Sequence, residues 1–115
     1  VDLIKKLNRD GRFFNEESVW YRNLTEQVGN ALAKTGCIVE LNTGGINRGY
    51  REDPYPSVTL LECFQRLEVP VILSSDAHSP DALDFWFDEA LVLLRDIGFR
   101  SVMQMEGGIF KEVVI

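Results

Sequence analysis

The chain predicts an α/β fold in which helices alternate with short strands around a largely parallel sheet. Three observations carry that expectation. Apolar residues recur at threes and fours in three separate stretches, the period of a helix that buries one face. Between these stretches lie two short β-rich runs, residues 37–42 and 69–73, with the composition of buried strands. The alternation itself is the signature of βα units.

The elements follow in order. Residues 1–15 show no clear period, and Asp10-Gly11 marks a turn. A helix starts near Glu17 or Ser18. Val19, Trp20, Leu24, Val28, Ala31 and Leu32 form its apolar face, and Thr35-Gly36 ends it at a glycine suited to a left-handed cap. The run Cys37-Ile38-Val39-Glu40-Leu41-Asn42 then reads as a strand. Residues 43–56 hold three glycines and two prolines, a long loop of the kind that often carries function. Ser57 caps a second helix whose apolar face is Val58, Leu60, Leu61, Phe64 and Leu67.

The second strand, 69–73, runs into the loop Ser75-Asp76-Ala77-His78. Ser79 and Pro80 open a third helix that extends to about Ile97, with Leu83, Phe87, Ala90, Leu91, Leu94 and Ile97 buried and Gly98 stopping it. Residues 101–105 and 109–114 form two short strands around Gly107-Gly108. Such a set is only part of an α/β barrel, which takes about 200 residues or more. The fold is thus a piece of a barrel or a small open α/β domain.

Global properties narrow the function. At 115 residues the chain has the size of one domain with one core. Its net charge of −6, with basic residues scattered, argues against nucleic acid as a partner. No run of about 18 apolar residues exists to cross a membrane. Cys37 and Cys63 lie in apolar stretches without metal spacing and read as two reduced core thiols of a cytoplasmic protein. The first residue is Val1, with no signal peptide before it, so the chain reads as cut from something longer.

The strongest chemical signal is Asp76-Ala77-His78 at a strand end. Alternation along an extended backbone points Asp76 and His78 the same way. A carboxylate oxygen and an imidazole nitrogen can then share Zn, Mn or Fe. Ligand sites of parallel α/β folds lie at the carboxyl ends of the strands; the alternative is an ordinary hydrogen-bonded surface histidine. Glu40 and Asn42 share one side of the first strand. Glu40 is either the partner of a core arginine or part of a site, because an acid inside an apolar strand needs a partner. Asn42 either hydrogen-bonds a substrate or ties down the loop that follows. In that loop Gly44 and Gly45 free backbone N–H groups, and Arg48 and Arg51 offer guanidinium forks that match phosphate oxygens. The loop lacks the Gly-Lys-Ser/Thr ending of a Walker motif. Trp20, Trp86 and the Phe85–Phe87 stretch are expected in the core. With one histidine and no nucleophile elbow, triad-type covalent catalysis is not expected.

The ordered set Ile38-Val39-Glu40-Leu41-Asn42-Thr43, Tyr55-Pro56-Ser57, Ser75-Asp76-Ala77-His78 and Gly98-Phe99 resembles the C-terminal part of the polymerase-and-histidinol-phosphatase (PHP) superfamily. It is most similar to the histidinol-phosphatase branch, and Val1-Asp2-Leu3-Ile4-Lys5-Lys6 is similar to the segment after that family's Gly-His motif. The resemblance implies that residues 1–115 are the C-terminal portion of a distorted (β/α)7 barrel holding up to three divalent ions. It implies Asp76 and His78 as the last ligand pair, with one of them helping protonate the leaving oxygen, and Arg48 on the substrate phosphate. The implied reaction is hydrolysis of histidinol phosphate to histidinol and phosphate in histidine biosynthesis. The family's earlier ligands, an N-terminal His-x-His among them, are absent, since His78 is the single histidine. The chain alone is therefore expected to bind metal weakly and to be inactive. Its expected partner is the missing N-terminal part of the barrel or a second copy. Another phosphoester substrate, or a non-catalytic remnant that associates through exposed strand edges, are the competing readings.

Overall fold

A computed structural model describes residues 2–8, 11–50 and 52–115. Val1, Asp10 of the expected turn and Arg51 of the expected anion loop lie outside the described residues. After a 3₁₀ turn at Leu3–Leu7, the elements are α1 (Val19–Thr35), β1 (Val39–Asn42), the short α2 (Gly44–Asn47), α3 (Val58–Arg66) and β2 (Val71–Ser74). A second 3₁₀ turn at Pro80–Ala82 precedes α4 (Phe87–Ile97), β3 (Ser101–Glu106) and β4 (Ile109–Val114).

The four strands form one sheet in the order β1-β2-β3-β4. β1 pairs with β2 and β2 with β3 in parallel, while β3 and β4 form an antiparallel hairpin. The chain is a mixed α/β structure, as the alternation of helix and strand signals requires. Glu40, Ile72, Met103 and Glu112 stand in register across the sheet, so their odd and even neighbours divide cleanly between two faces.

One face carries the core. Val39, Leu41, Val71 and Val102 meet Leu60, Leu61 and Phe64 of α3 and Ala90 and Leu94 of α4. Val28 and Leu32 of α1 flank this cluster. The α1–α3 contact is close because Gly29 has no side chain: a Cβ there would lie 2.6 Å from Cys63 Sγ. Glu26 and Arg66 pair across the same two helices. At the amino ends of α1 and α3, Tyr21 Oη donates to Asp2 Oδ1 at 2.8 Å and lies 3.3 Å from Ser57 Oγ. Burial, reinforced by the Asp2 carboxylate, pushes the Tyr21 phenol well above its usual range. Lys5 is buried and answered by Glu16 at 3.0 Å and Asp53 at 2.9 Å.

The caps fall where the sequence indicates. Ser18 Oγ accepts from Tyr21 N and Ser57 Oγ from Leu60 N. Gly36 and Gly98 close α1 and α4 in the left-handed region. Four expectations need correction. The third helix is not continuous from Ser79 to Ile97: Trp86 adopts φ 63°, which interrupts it, and Leu83 is exposed. The loop 43–56 contains the single turn α2. Val19 and Trp20 at the start of α1 lie 74% and 58% exposed, because Tyr21 is the residue of that first turn that faces inward. Cys37 is exposed, since it precedes β1, while Cys63 is buried as expected. No helix among the described residues is long and apolar enough to cross a membrane.

Candidate functional site

The site is built at the carboxyl ends of β1 and β2, which lie side by side in register at Asn42 and Ser74. The two loops leaving these strands are stitched together at once. Thr43 N donates to Ser74 O at 2.9 Å, and the buried Thr43 hydroxyl donates to Phe85 O at 2.8 Å. Ser75, also buried, donates through Oγ to Leu83 O at 2.8 Å. Asn42 and Tyr55 exchange backbone hydrogen bonds in both directions, which returns the long loop to the strand end.

Gly44 sits at the centre of this junction. A Cβ there would lie 2.5 Å from Ser75 O, 2.9 Å from Arg48 Nη2 and 3.2 Å from Asn42 Oδ1, a separation that no real side chain tolerates against backbone. The two strand-end loops can approach only because this residue is glycine. Asn42 Oδ1 accepts from Gly44 N at 2.9 Å, so the carboxamide holds the start of α2. The turn of α2 then carries Arg48 across the gap, its own N–H donating back to Gly44 O.

Arg48, Asp76 and His78 converge there. Arg48 Nη2 donates to Asp76 Oδ2 at 2.8 Å, and Nη1 donates to Asp76 O at 3.2 Å. His78 Nδ1 lies 2.8 Å from the same carbonyl and 3.3 Å from Arg48 Nη1. A guanidinium only donates and a carbonyl only accepts, so the two contacts ask opposite roles of Nδ1; with the proton on Nδ1, as the shorter contact asks, His78 donates to Asp76 O and Nε2 is the acceptor nitrogen. That is the arrangement by which a metal-binding imidazole is usually oriented, one ring nitrogen anchored on a carbonyl and the other free to ligate. Asp76 stands at φ 48°, a left-handed turn that aspartate tolerates. The side chains of Arg48 and Asp76 are 33% and 49% exposed, so the group is open to a ligand. Tyr50 lies beneath it, 5.9 Å from Arg48 Cζ and 5.2 Å from Lys6 Nζ.

Asp76 and His78 thus suit a divalent cation in kind. In number they fall short: no group of three or more His, Cys, Asp or Glu residues that could hold a metal occurs among the described residues. Glu40 does not join them as a buried acid. It is exposed on the sheet face opposite the core and has no ion pair with an arginine among the described residues. It borders a shallow depression of about 490 Å³ with Ile72, Ser74, Leu83, Met105 and Phe110. Trp86 packs against the core, as expected, and Trp20 does not. Sequence reasoning named Asp76 and His78 as a pair and Arg48 apart from them; it missed that Arg48 reaches the other two, and it missed Thr43 and Ser75 as the ties between the loops. The glycine at the strand end was the available signal.

Comparison with known proteins finds a similar chain in Deinococcus radiodurans, a probable histidinol-phosphatase. It is 33% identical over 73 residues, covering 64% of this chain and 28% of that protein. The match therefore spans little more than a quarter of that relative's length. No family model matches.

Proposed function

We propose that this chain is the C-terminal portion of a metal-dependent phosphoesterase of the PHP type, acting on histidinol phosphate. The observation that carries the reading is the convergence of a guanidinium fork, a carboxylate and an anchored imidazole where two adjacent parallel strands end. The similarity to a probable histidinol-phosphatase supports it. On this reading residues 1–115 belong to one distorted (β/α)7 barrel, and the exposed face of the sheet is its interior.

Each residue then has a task. Arg48 binds the phosphoryl group, since its planar donors match two oxygens at once. Asp76 and His78 help hold a divalent ion, Zn, Mn or Fe, of which the complete domain takes up to three. Such ions supply an activated water and neutralise charge on the phosphoryl oxygens. One of the pair, Asp76 or His78, would help the departing alkoxide acquire a proton, one released by the attacking water. Asn42 holds the loop that presents Arg48 and lies within reach of a bound substrate. Two protein donors are fewer than the three or four a catalytic site uses, so the remainder of the barrel, or a second copy, completes the set. The unpaired cysteines accord with a cytoplasmic setting.

The test is phosphate release by the full-length gene product, with Mn or Zn, from histidinol phosphate beside nucleotide and sugar phosphates. Preference for histidinol phosphate, lost on chelation and restored by metal, is the expected result. Preference for another phosphoester would change the substrate. No turnover on any of them would favour a non-catalytic, partner-binding role.

A further inference from the structure

We propose that Glu40 reads the substrate: its carboxylate accepts the ring N–H of an imidazole that lies in the apolar depression on the open face of the sheet. The inference rests on the phosphatase reading and adds to it the residue that selects the ring. Glu40, Ile72 and Met103 stand in register, so Ser74 and Met105, two residues on, share their face, as does Phe110, the partner of Met105. Glu40, Ile72, Ser74, Met105 and Phe110 line the depression of about 490 Å³ together with Leu83. Glu40 is the one charged residue lining it among the described residues, and no ion pair or side-chain hydrogen bond to Glu40 occurs among them. A carboxylate set among aliphatic and aromatic groups is costly to desolvate without a donor, so it favours a ligand that brings one. A flat ring with an N–H meets both needs: the ring packs on Met105 and Phe110, and the N–H meets the carboxylate.

The place suits one end of a phosphoester whose other end is held by Arg48. Asn42 follows Glu40 by two residues on the same face, about 7 Å along the strand. A Cβ at Gly44 would lie 3.2 Å from Asn42 Oδ1, 2.9 Å from Arg48 Nη2 and 2.5 Å from Ser75 O, and Ser75 itself lines the depression. The guanidinium fork and the depression are therefore neighbours, and a small molecule with a phosphoryl group at one end and a ring at the other spans them.

The test is steady-state turnover by the full-length gene product of histidinol phosphate beside phenylalaninol phosphate, the same ester with a phenyl ring that has no N–H. The wild type is expected to favour histidinol phosphate, and Glu40→Met to cut that preference at least about tenfold, through KM rather than kcat. Glu40→Gln, which keeps an acceptor and loses the charge, is expected to fall between the two and serves if Glu40→Met does not fold. Slowing of both esters alike would make Glu40 a structural acid, and no change with either would take it out of the site. Each of these results, or a wild type without the preference, overturns the inference and leaves the phosphatase reading standing. If the wild type turns over neither ester, that reading falls, and calorimetry of histidinol binding to wild type and Glu40→Met decides the inference. Binding weakened about tenfold by the substitution upholds the ring site; binding absent or unchanged overturns it.

Discussion

The two faces of the four-stranded sheet are made by the same strands and end in opposite surroundings. Val39, Leu41, Val71 and Val102 are packed under α3 and α4, whereas Glu40, Met105 and Phe110, one residue out of phase with that face, meet solvent. Period-2 alternation decides which residues share a face; only a covering layer decides whether that face is a core. Here the helices supply one layer. The other face keeps large apolar groups exposed, Met105 at 57% and Phe110 at 45%, with no helix of the described residues packed over them. The edge strand β4, exposed along its whole length, has the same character.

Substitution separates the faces most sharply. Phe64→Ala and Leu61→Ala, at fully buried core positions, should each lower stability by about 3–4 kcal/mol in urea unfolding. Met105→Ser and Phe110→Ser on the open face should change it by less than about 0.5 kcal/mol. A loss at Phe110 as large as that at Phe64 would break the comparison, because it would mean that the open face is covered in solution. Gly29→Ala comes next. It gains helix propensity of about 1 kcal/mol but drives a methyl to 2.6 Å from Cys63 Sγ and 2.9 Å from Leu67 Cδ1, and a net loss of about 1–2 kcal/mol is expected.

Ser57→Ala should cost about 1 kcal/mol, since its hydroxyl caps α3; an unchanged midpoint would show that the Asp2 carboxylate bonded to Ser57 N suffices. The smallest effect is chemical. Burial, then the nearby Glu26 carboxylate, raises the Cys63 thiol, so little thiolate forms near neutral pH. Iodoacetamide at about pH 8 should label the exposed Cys37 and spare Cys63 until denaturant is added. Equal labelling of both would place α1 and α3 in a looser contact than the structure has.

Much of the fold was legible because its stops are chemical. Ser18, Ser57, Gly36 and Gly98 act as caps through properties of single residues, and the elements they bound were read within one or two positions. The break before α4 was not legible, because Trp86 at φ 63° carries no local signature that a glycine would. Glu40 was misjudged for a related reason: an apolar run reveals a strand but not what covers each side. In the site, Asp76 and His78 were legible as neighbours at a strand end. The bond from Arg48 to Asp76 spans 28 residues of sequence and depends on two loops meeting over Gly44; the glycine signals a close approach, but no local pattern says which loop arrives there.

The central claim is that His78, held by Asp76 and faced by Arg48, belongs to a phosphatase site. It is tested most directly by phosphate release from histidinol phosphate by the full-length gene product with Mn or Zn, wild type beside His78→Ala. The account predicts turnover in the wild type and a fall of at least about a hundredfold in the variant, the usual size of losing a group that handles a proton or metal in the transition state. Turnover that survives the substitution would contradict it and return His78 to the ordinary hydrogen-bonded histidines.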